Sequence, residues 1–274
     1  MLYEPVKDRL IGLAKRSQLL RRVYYVMLNV VFLRSWYVRR TIRHLLKSKG
    51  GDAVAVLDAG TGLGQFACYT ASRFPAARVH AVDLNQNYLD YARKFIAGTN
   101  CADRVTFGIE DLTRLTTSGP YDLVLSADVM EHIEEDVEVF RHFHRVLKPG
   151  GYVVINTPSD LGGSDVQDSE DESFIGEHVR DGYSRDDLSA KLESVGLAVE
   201  DVIYTYGTPG SIAWRLLIKI PMRLISMSWL LVVLVIPYFF LVLPLGILLN
   251  ALDTASRNDH GTGILAIASR PADA

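Results

Sequence analysis

The stretch Ala53-Val54-Ala55-Val56-Leu57-Asp58-Ala59, followed by Gly60-Thr61-Gly62-Leu63-Gly64, constrains the fold more than any other. Its first half is a short apolar run without helical period, which reads as a strand buried on both faces. Its second half sets glycine at alternate positions, as needed for a tight turn that lets a ligand approach bare backbone. A strand buried on both faces calls for helices on each side of its sheet.

The alternation then repeats. Helices are expected at Gln65–Phe74, Gln86–Ala97, Ile133–Leu147 and Ser184–Val195, the last with Ser184 as N-cap. Further strands are expected at Arg78–Val82, Arg104–Ile109, Tyr121–Ala127, Tyr152–Thr157, Leu197–Tyr206 and Gly263–Ser269. Strand after helix means a parallel sheet of the α/β class. Residues 159–182 are rich in Gly, Ser, Asp and Glu and are expected to form a mobile loop. Asp83 ends the second strand, 19 residues past Gly64, where a carboxylate accepts from ribose hydroxyls in nucleotide-binding folds. Glu110-Asp111 follows the third strand, where a carboxylate can accept from an adenine amino group. These acids and Asp58 lie at the carboxyl ends of strands, where open α/β sheets bind ligands.

The segments LDAGTGLGQFA, HAVDLN, GIEDL, YDLVLSADVMEHI and LKPGGYVVINTP together resemble the class I S-adenosylmethionine-dependent methyltransferases, over residues 52–206 and 261–270. The resemblance implies a Rossmann-like seven-stranded sheet of order 3-2-1-4-5-7-6, with the last strand antiparallel. It implies S-adenosyl-L-methionine as cofactor. Asp58, Gly60, Thr61, Gly62 and Gly64 would hold its methionine end, Asp83 its ribose, and Asp111 and Leu112 its adenine; Leu84 and Ser126 complete the set. The stretch Met130-Glu131-His132-Ile133 resembles ubiquinone-biosynthesis-type O-methyltransferases, which points to an isoprenoid or lipid-like acceptor.

Methyl transfer to a hydroxyl needs a base, and histidine titrates in the right range. His132, past the fourth strand, and His178, after the acidic loop, are the candidates. Asp128, Glu131, His132 and His178 are also similar to the metal site of small-RNA 2′-O-methyltransferases, with Asp128 in place of a Glu; the shorter side chain must reach further, and no metal is expected.

Charge and hydropathy add a second theme. Residues 1–49 hold twelve Lys+Arg against two acids, a net +10 that leaves −13 on the remainder. Basic residues interleaved with Tyr24, Tyr25, Phe32 and Trp36 read as an amphipathic arm for an anionic membrane surface. Between the sixth and seventh strands lie 56 residues, 207–262, of which 224–252 carry no charge. Arg215, Lys219 and Arg223 recur every four residues just upstream. Both flanking strands belong to one sheet, so the chain must return to the side it left. A helix–break–helix hairpin entering one leaflet is expected, with its break at Pro237–Pro244. The expected organisation is an arm (1–49), a methyltransferase domain (50–206 and 261–274) and an insertion (207–260). Two cysteines, Cys68 and Cys101, and no recognisable signal peptide point to the cytoplasmic face of a membrane. The alternative is an RNA methyltransferase using the basic arm, although nucleic acid leaves the apolar insertion unexplained. Oligomeric state stays open.

Overall fold

The computed structural model describes residues 17–47, 52–162 and 179–272. The core of the expected mobile loop, 163–178, and with it His178, lies outside the described residues, as do the first sixteen residues of the arm. Seven strands form one sheet: β1 Val54–Ala59, β2 Ala77–Asp83, β3 Val105–Ile109, β4 Tyr121–Ala127, β5 Leu147–Pro158, β6 Ala198–Thr205 and β7 Gly263–Ser269. Their order is β3-β2-β1-β4-β5-β7-β6, as the sequence implies. β3, β2, β1, β4 and β5 pair in parallel. β7 runs antiparallel to β5: Arg270 exchanges backbone bonds with Gly150 and Gly151 at one end, and Ser159 donates to Thr262 at the other. Nine helices accompany the sheet among the described residues: α1 Gln18–Val31, α2 Leu33–Lys47, α3 Gln65–Arg73, α4 Gln86–Ile96, α5 Asp136–Val146, α6 Arg185–Ser194, α7 Thr208–Trp214, α8 Ile220–Met227 and α9 Val232–Ala255.

Two element boundaries differ from expectation for local reasons. The helix expected from Ile133 begins at Asp136, because Met130–His132 forms a 3-10 turn whose tighter bonds run from His132 N–H to Val129 and from Ile133 N–H to Met130. β5 begins at Leu147 rather than Tyr152: a register shift opposite Tyr121 and Leu123 lets the strand pass through Gly150-Gly151 as a bulge.

By packing, the chain divides into two compact units. One takes in Val38–Thr157, Tyr183–Val202 and Ile264–Ala274, and the other Met1–Tyr37, Pro158–Gly182 and Ile203–Gly263. In the first unit, Leu57, Leu123, Val124, Val153 and Ile155 are fully buried, consistent with strands covered on both faces. Ser184 caps α6 as expected, accepting from Asp187 N–H at 3.0 Å.

The second unit joins α1 to the insertion. The chain leaves through α7, a π-helical turn at Arg215–Lys219 and α8, breaks at Ser228, and returns along α9. The hairpin break therefore lies at Ser228–Leu231, not at Pro237–Pro244; α9 runs unbroken through both prolines. Each proline removes one backbone donor, while packing on the outgoing arm holds the helix together. Val31, Leu217 and Ile218 form a buried cluster against Met27, Phe32, Trp214, Met222, Phe239, Val242 and Leu243. A side chain at Gly246 would collide with Leu217, so glycine is required where α9 packs on the outgoing arm.

The π turn has its own bookkeeping. Ile220 N–H donates five residues back, to the Arg215 carbonyl. The next donor in that pattern would be Pro221, which has none, so the Leu216 carbonyl is left over. Tyr238 of α9 supplies it, its hydroxyl donating to that oxygen at 2.8 Å.

At the hairpin base sits buried Asp253. Its Oδ2 accepts from Gly210 N–H at 2.9 Å, capping the first turn of α7 where the N-cap residue, Gly207, has no side chain. Its Oδ1 accepts from the Tyr37 hydroxyl at 2.7 Å and from Asn258 Nδ2 at 3.3 Å. Asp253→Ala strands the buried Gly210 N–H and takes one acceptor from Tyr37 and from Asn258, which keep the Asp253 and Tyr204 carbonyls; it should lower the unfolding free energy of this unit by about 2 kcal/mol, with Asp253→Asn costing less. Urea unfolding of both variants checks this, and an unchanged midpoint for Asp253→Ala would show that the network contributes nothing.

Candidate functional site

The glycine turn after β1 is held in a shape only glycine adopts easily. Gly60, Gly62 and Gly64 have φ of 77, 53 and 78°. A Cβ at Gly60 would collide with Val129, so the turn after β4 closes directly onto the loop. At Gly62 an added Cβ would meet nothing within 4 Å, which leaves bare backbone facing open space. Gly60 and Thr61 N–H both donate to the Val82 carbonyl at 2.9 Å, pinning the loop to β2.

Asp83 ties the loop from the other side. Its Oδ2 accepts from Gly62 N–H at 2.7 Å and its Oδ1 from Asn85 N–H at 2.8 Å. Asn85 in turn caps α4. Asp58 is buried at the end of β1 and accepts from the Thr61 hydroxyl at 2.6 Å. Burial pushes its carboxyl up to about 6, against the pull of bonds from Thr61 and the Ala67 backbone and with a small further push from Asp83. Leu84 is largely exposed, Leu112 buried. Asp111 caps the short turn Leu112–Arg114, accepting from Thr113 N–H and Oγ1; these bonds hold its carboxyl below the usual range. Glu110 is turned to Thr116, which donates to both its oxygens. Ser126, on β4, is fully buried and its Oγ has no hydrogen-bond partner.

Beyond β4 the chain turns at Asp128, whose φ of 54° is held by a two-point contact with Asn156: Asp128 N–H to the Asn156 carbonyl at 2.8 Å, and Asn156 Nδ2 to Asp128 Oδ1 at 3.0 Å. Glu131 is buried and accepts from the Thr157 hydroxyl at 3.0 Å, whereas His132 on the same turn is exposed. The structure thus brings Asp58, the glycine loop, Asp83 and, through Val129, the Asp128–His132 turn to one end of the sheet. No group of three His, Cys, Asp or Glu suited to a metal occurs among the described residues. Sequence reasoning passed over Asn156, Thr157, Val129 and Asn85. The polar pair closing the apolar run Tyr152–Ile155 was the available signal for the first two.

With bare backbone open at Gly62, a bridging carboxylate at Asp83 and an orphaned buried hydroxyl at Ser126, the residues present fit S-adenosylmethionine. Comparison with known proteins gives the class. Residues 56–151 match the family model "Methyltransferase domain". A phosphoethanolamine N-methyltransferase of Triticum aestivum is 32% identical over 154 residues, covering 56% of this chain and 29% of that protein. Phosphoethanolamine N-methyltransferase 3 of Arabidopsis thaliana is 35% identical over 36% of this chain and 20% of its own length. The chain therefore spans a third or less of these two relatives. Among solved structures, a putative sarcosine dimethylglycine methyltransferase from Galdieria sulphuraria superposes with a TM-score of 0.60 at 18% identity, over 88% of this chain and 86% of that one. Phosphoethanolamine N-methyltransferase 2 of Haemonchus contortus, in complex with S-adenosyl-L-methionine, gives 0.58 at 23%, over 85% and 52%. The chain carries a class I, S-adenosylmethionine-dependent methyltransferase domain with a Rossmann-like fold. None of these names is of the ubiquinone-biosynthesis type, and none carries an RNA substrate.

The buried Asp58 gives a pH signature. Between its ordinary 3.8 and about 6 the folded protein keeps the proton that the unfolded chain has lost. Stability at Asp58 is therefore greatest below the lower value, falls as pH rises through this window, and is level above it. Relative to Asp58→Asn, the wild type should lose roughly 3 kcal/mol of unfolding free energy across the window. Urea titrations at several pH values test it, and parallel curves for the two proteins would contradict it.

Proposed function

We propose that this protein transfers a methyl group from S-adenosylmethionine to a small lipophilic acceptor at a membrane surface. The observation that carries the chemistry is the Asp83 carboxylate bridging the glycine loop and α4 beside the open backbone of Gly62. When bound, the cofactor supplies an electrophilic methyl on a sulfonium. Gly60, Thr61, Gly62 and Gly64, with Asp58 behind them, take the methionine end; Asp83 takes the ribose with Leu84 at its edge; Asp111 and Leu112 take the adenine; Ser126 offers its unpaired hydroxyl from β4.

The acceptor side is the Asp128–His132 turn. Val129 presses it onto Gly60, Asn156 locks its first residue, and Thr157 holds Glu131 inward. This leaves the exposed imidazole of His132 to take the acceptor's proton as the new bond forms, which suits a hydroxyl. His178, outside the described residues, is the second candidate base. Holding donor and acceptor in line does much of the remaining work. An amine acceptor is the second reading, favoured by the similarity to phosphoethanolamine N-methyltransferases.

Support for a membrane setting comes from α9, which is long and apolar enough to cross a bilayer, with a mean hydropathy of 2.7 and 11% of its apolar window buried. An isoprenoid phenol or another lipid-like hydroxyl fits that setting. The two cysteines are free, consistent with the cytoplasmic face.

Three measurements test the chemistry. Asp83→Ala should weaken S-adenosylmethionine binding about 10- to 150-fold; calorimetry on a folded variant with unchanged affinity would sink the ribose assignment. Lipid extract incubated with the protein and isotopically labelled donor should yield a labelled product by mass spectrometry. With that product in hand, His132→Ala should lower kcat about 100-fold on a hydroxyl acceptor and leave donor binding intact. Full turnover would remove His132 from the mechanism.

A further inference from the structure

The exposed residues of α9 fall on one side. Val233, Leu234, Ile236, Pro237, Phe240, Leu241, Pro244, Leu245, Ile247, Leu248 and Leu252 are all exposed, and at a turn of 3.6 residues they fill about half the helix circumference from end to end. Val235, Gly246, Asn250 and Asp253 fill the opposite side and are buried. The apolar half is as wide near Leu252, at the hairpin base, as near Val233, at its turn. A hairpin entering a bilayer turn-first would leave the base half of this face in water. A spanning hairpin would carry Arg215, Lys219 and Arg223 into the hydrocarbon, where cations are costly.

The prolines set the depth. Pro237 and Pro244 sit at the centre of the exposed half, and so do the carbonyls they deprive of a helical donor, those of Val233 and Phe240. In hydrocarbon an unsatisfied carbonyl costs several kcal/mol, whereas at the headgroup boundary water and headgroup donors reach it. Charge points to the lipid class. From Thr208 to Arg257 the chain has four cations, Arg215, Lys219, Arg223 and Arg257, against one acid, Asp253, whose carboxylate is buried in the base network. α1, packed in the same unit, adds an exposed stripe: Leu19, Arg22, Val23 and Val26 recur at i, i+3, i+4 and i+7.

We propose that α9 lies in the plane of an anionic bilayer, its apolar half sunk to the headgroup–acyl boundary along its whole length, with the protein taking the place of the polar face that a free interfacial helix would have. This deepens the membrane-surface part of the function proposed above and does not depend on the methyl-transfer chemistry. Vesicle binding without turnover would leave it standing and remove only the chemistry.

Flotation of the full chain with phosphatidylcholine vesicles, with and without phosphatidylserine, tests it. Binding should rise with phosphatidylserine and keep a salt-resistant part. Leu241→Glu and Leu248→Glu, both exposed and leaving the buried side intact, should each lower partition about tenfold or more, with unchanged circular dichroism. If Leu230→Glu at the turn abolishes binding while Leu248→Glu has no effect, the turn and not the face enters the bilayer, and the proposal fails. It fails equally if the wild type ignores vesicles and forms a dimer that Leu241→Glu dissociates, since the face then belongs to a second copy.

Discussion

One carboxylate organises the cofactor end of the sheet. Asp83 holds Gly62 with one oxygen and Asn85 with the other. The first bond fixes a loop whose three glycines have no side chains to anchor it. The second fixes the residue that caps α4, so loop and helix start share a reference point. An acid with fewer fixed donors would swing to solvent. Here it is held in place with lone pairs to spare.

The same end of the sheet shows how packing and chemistry share residues. Val129 has an apolar side chain, yet its contact with Gly60 sets how near the Asp128–His132 turn lies to the glycine loop. Tyr183 works similarly on the far side of that turn. Its buried hydroxyl donates to Asp136 at 2.7 Å and to the Met130 carbonyl at 3.3 Å, and Lys191 completes the cluster at 2.9 Å from Asp136. The turn carrying Glu131 and His132 is thus gripped from both ends.

The sheet was legible in the sequence because its signals are local. Apolar runs such as Tyr121–Ala127 are bounded by turn residues, and acids at strand ends follow from the architecture itself. The places of Asp58, Asp83 and Asp111 at or just after strand ends were legible for the same reason. What was not legible rests on contacts between distant residues. Nothing near Asp128 announces that Asn156 will lock it, and nothing near Gly60 announces Val129. In the insertion, local rules misled. Two prolines suggested a break, but Tyr238 and Leu217 brace the outgoing arm against α9 and the helix survives, while the turn fell at Ser228.

The bond between the Tyr37 hydroxyl and the Asp253 carboxylate joins residues 216 positions apart. A chain made from its N-terminus waits for most of its length before that bond can form. Until then α1 lacks the contacts it makes with Asn250 of α9, and the 29 uncharged residues of 224–252 leave the ribosome before β7, which closes the sheet. Contacts of such long range fold slowly and leave apolar surface open in the meantime. An apolar phase beside the ribosome would shelter that surface during the wait, so that where this chain is made would bear on whether it folds.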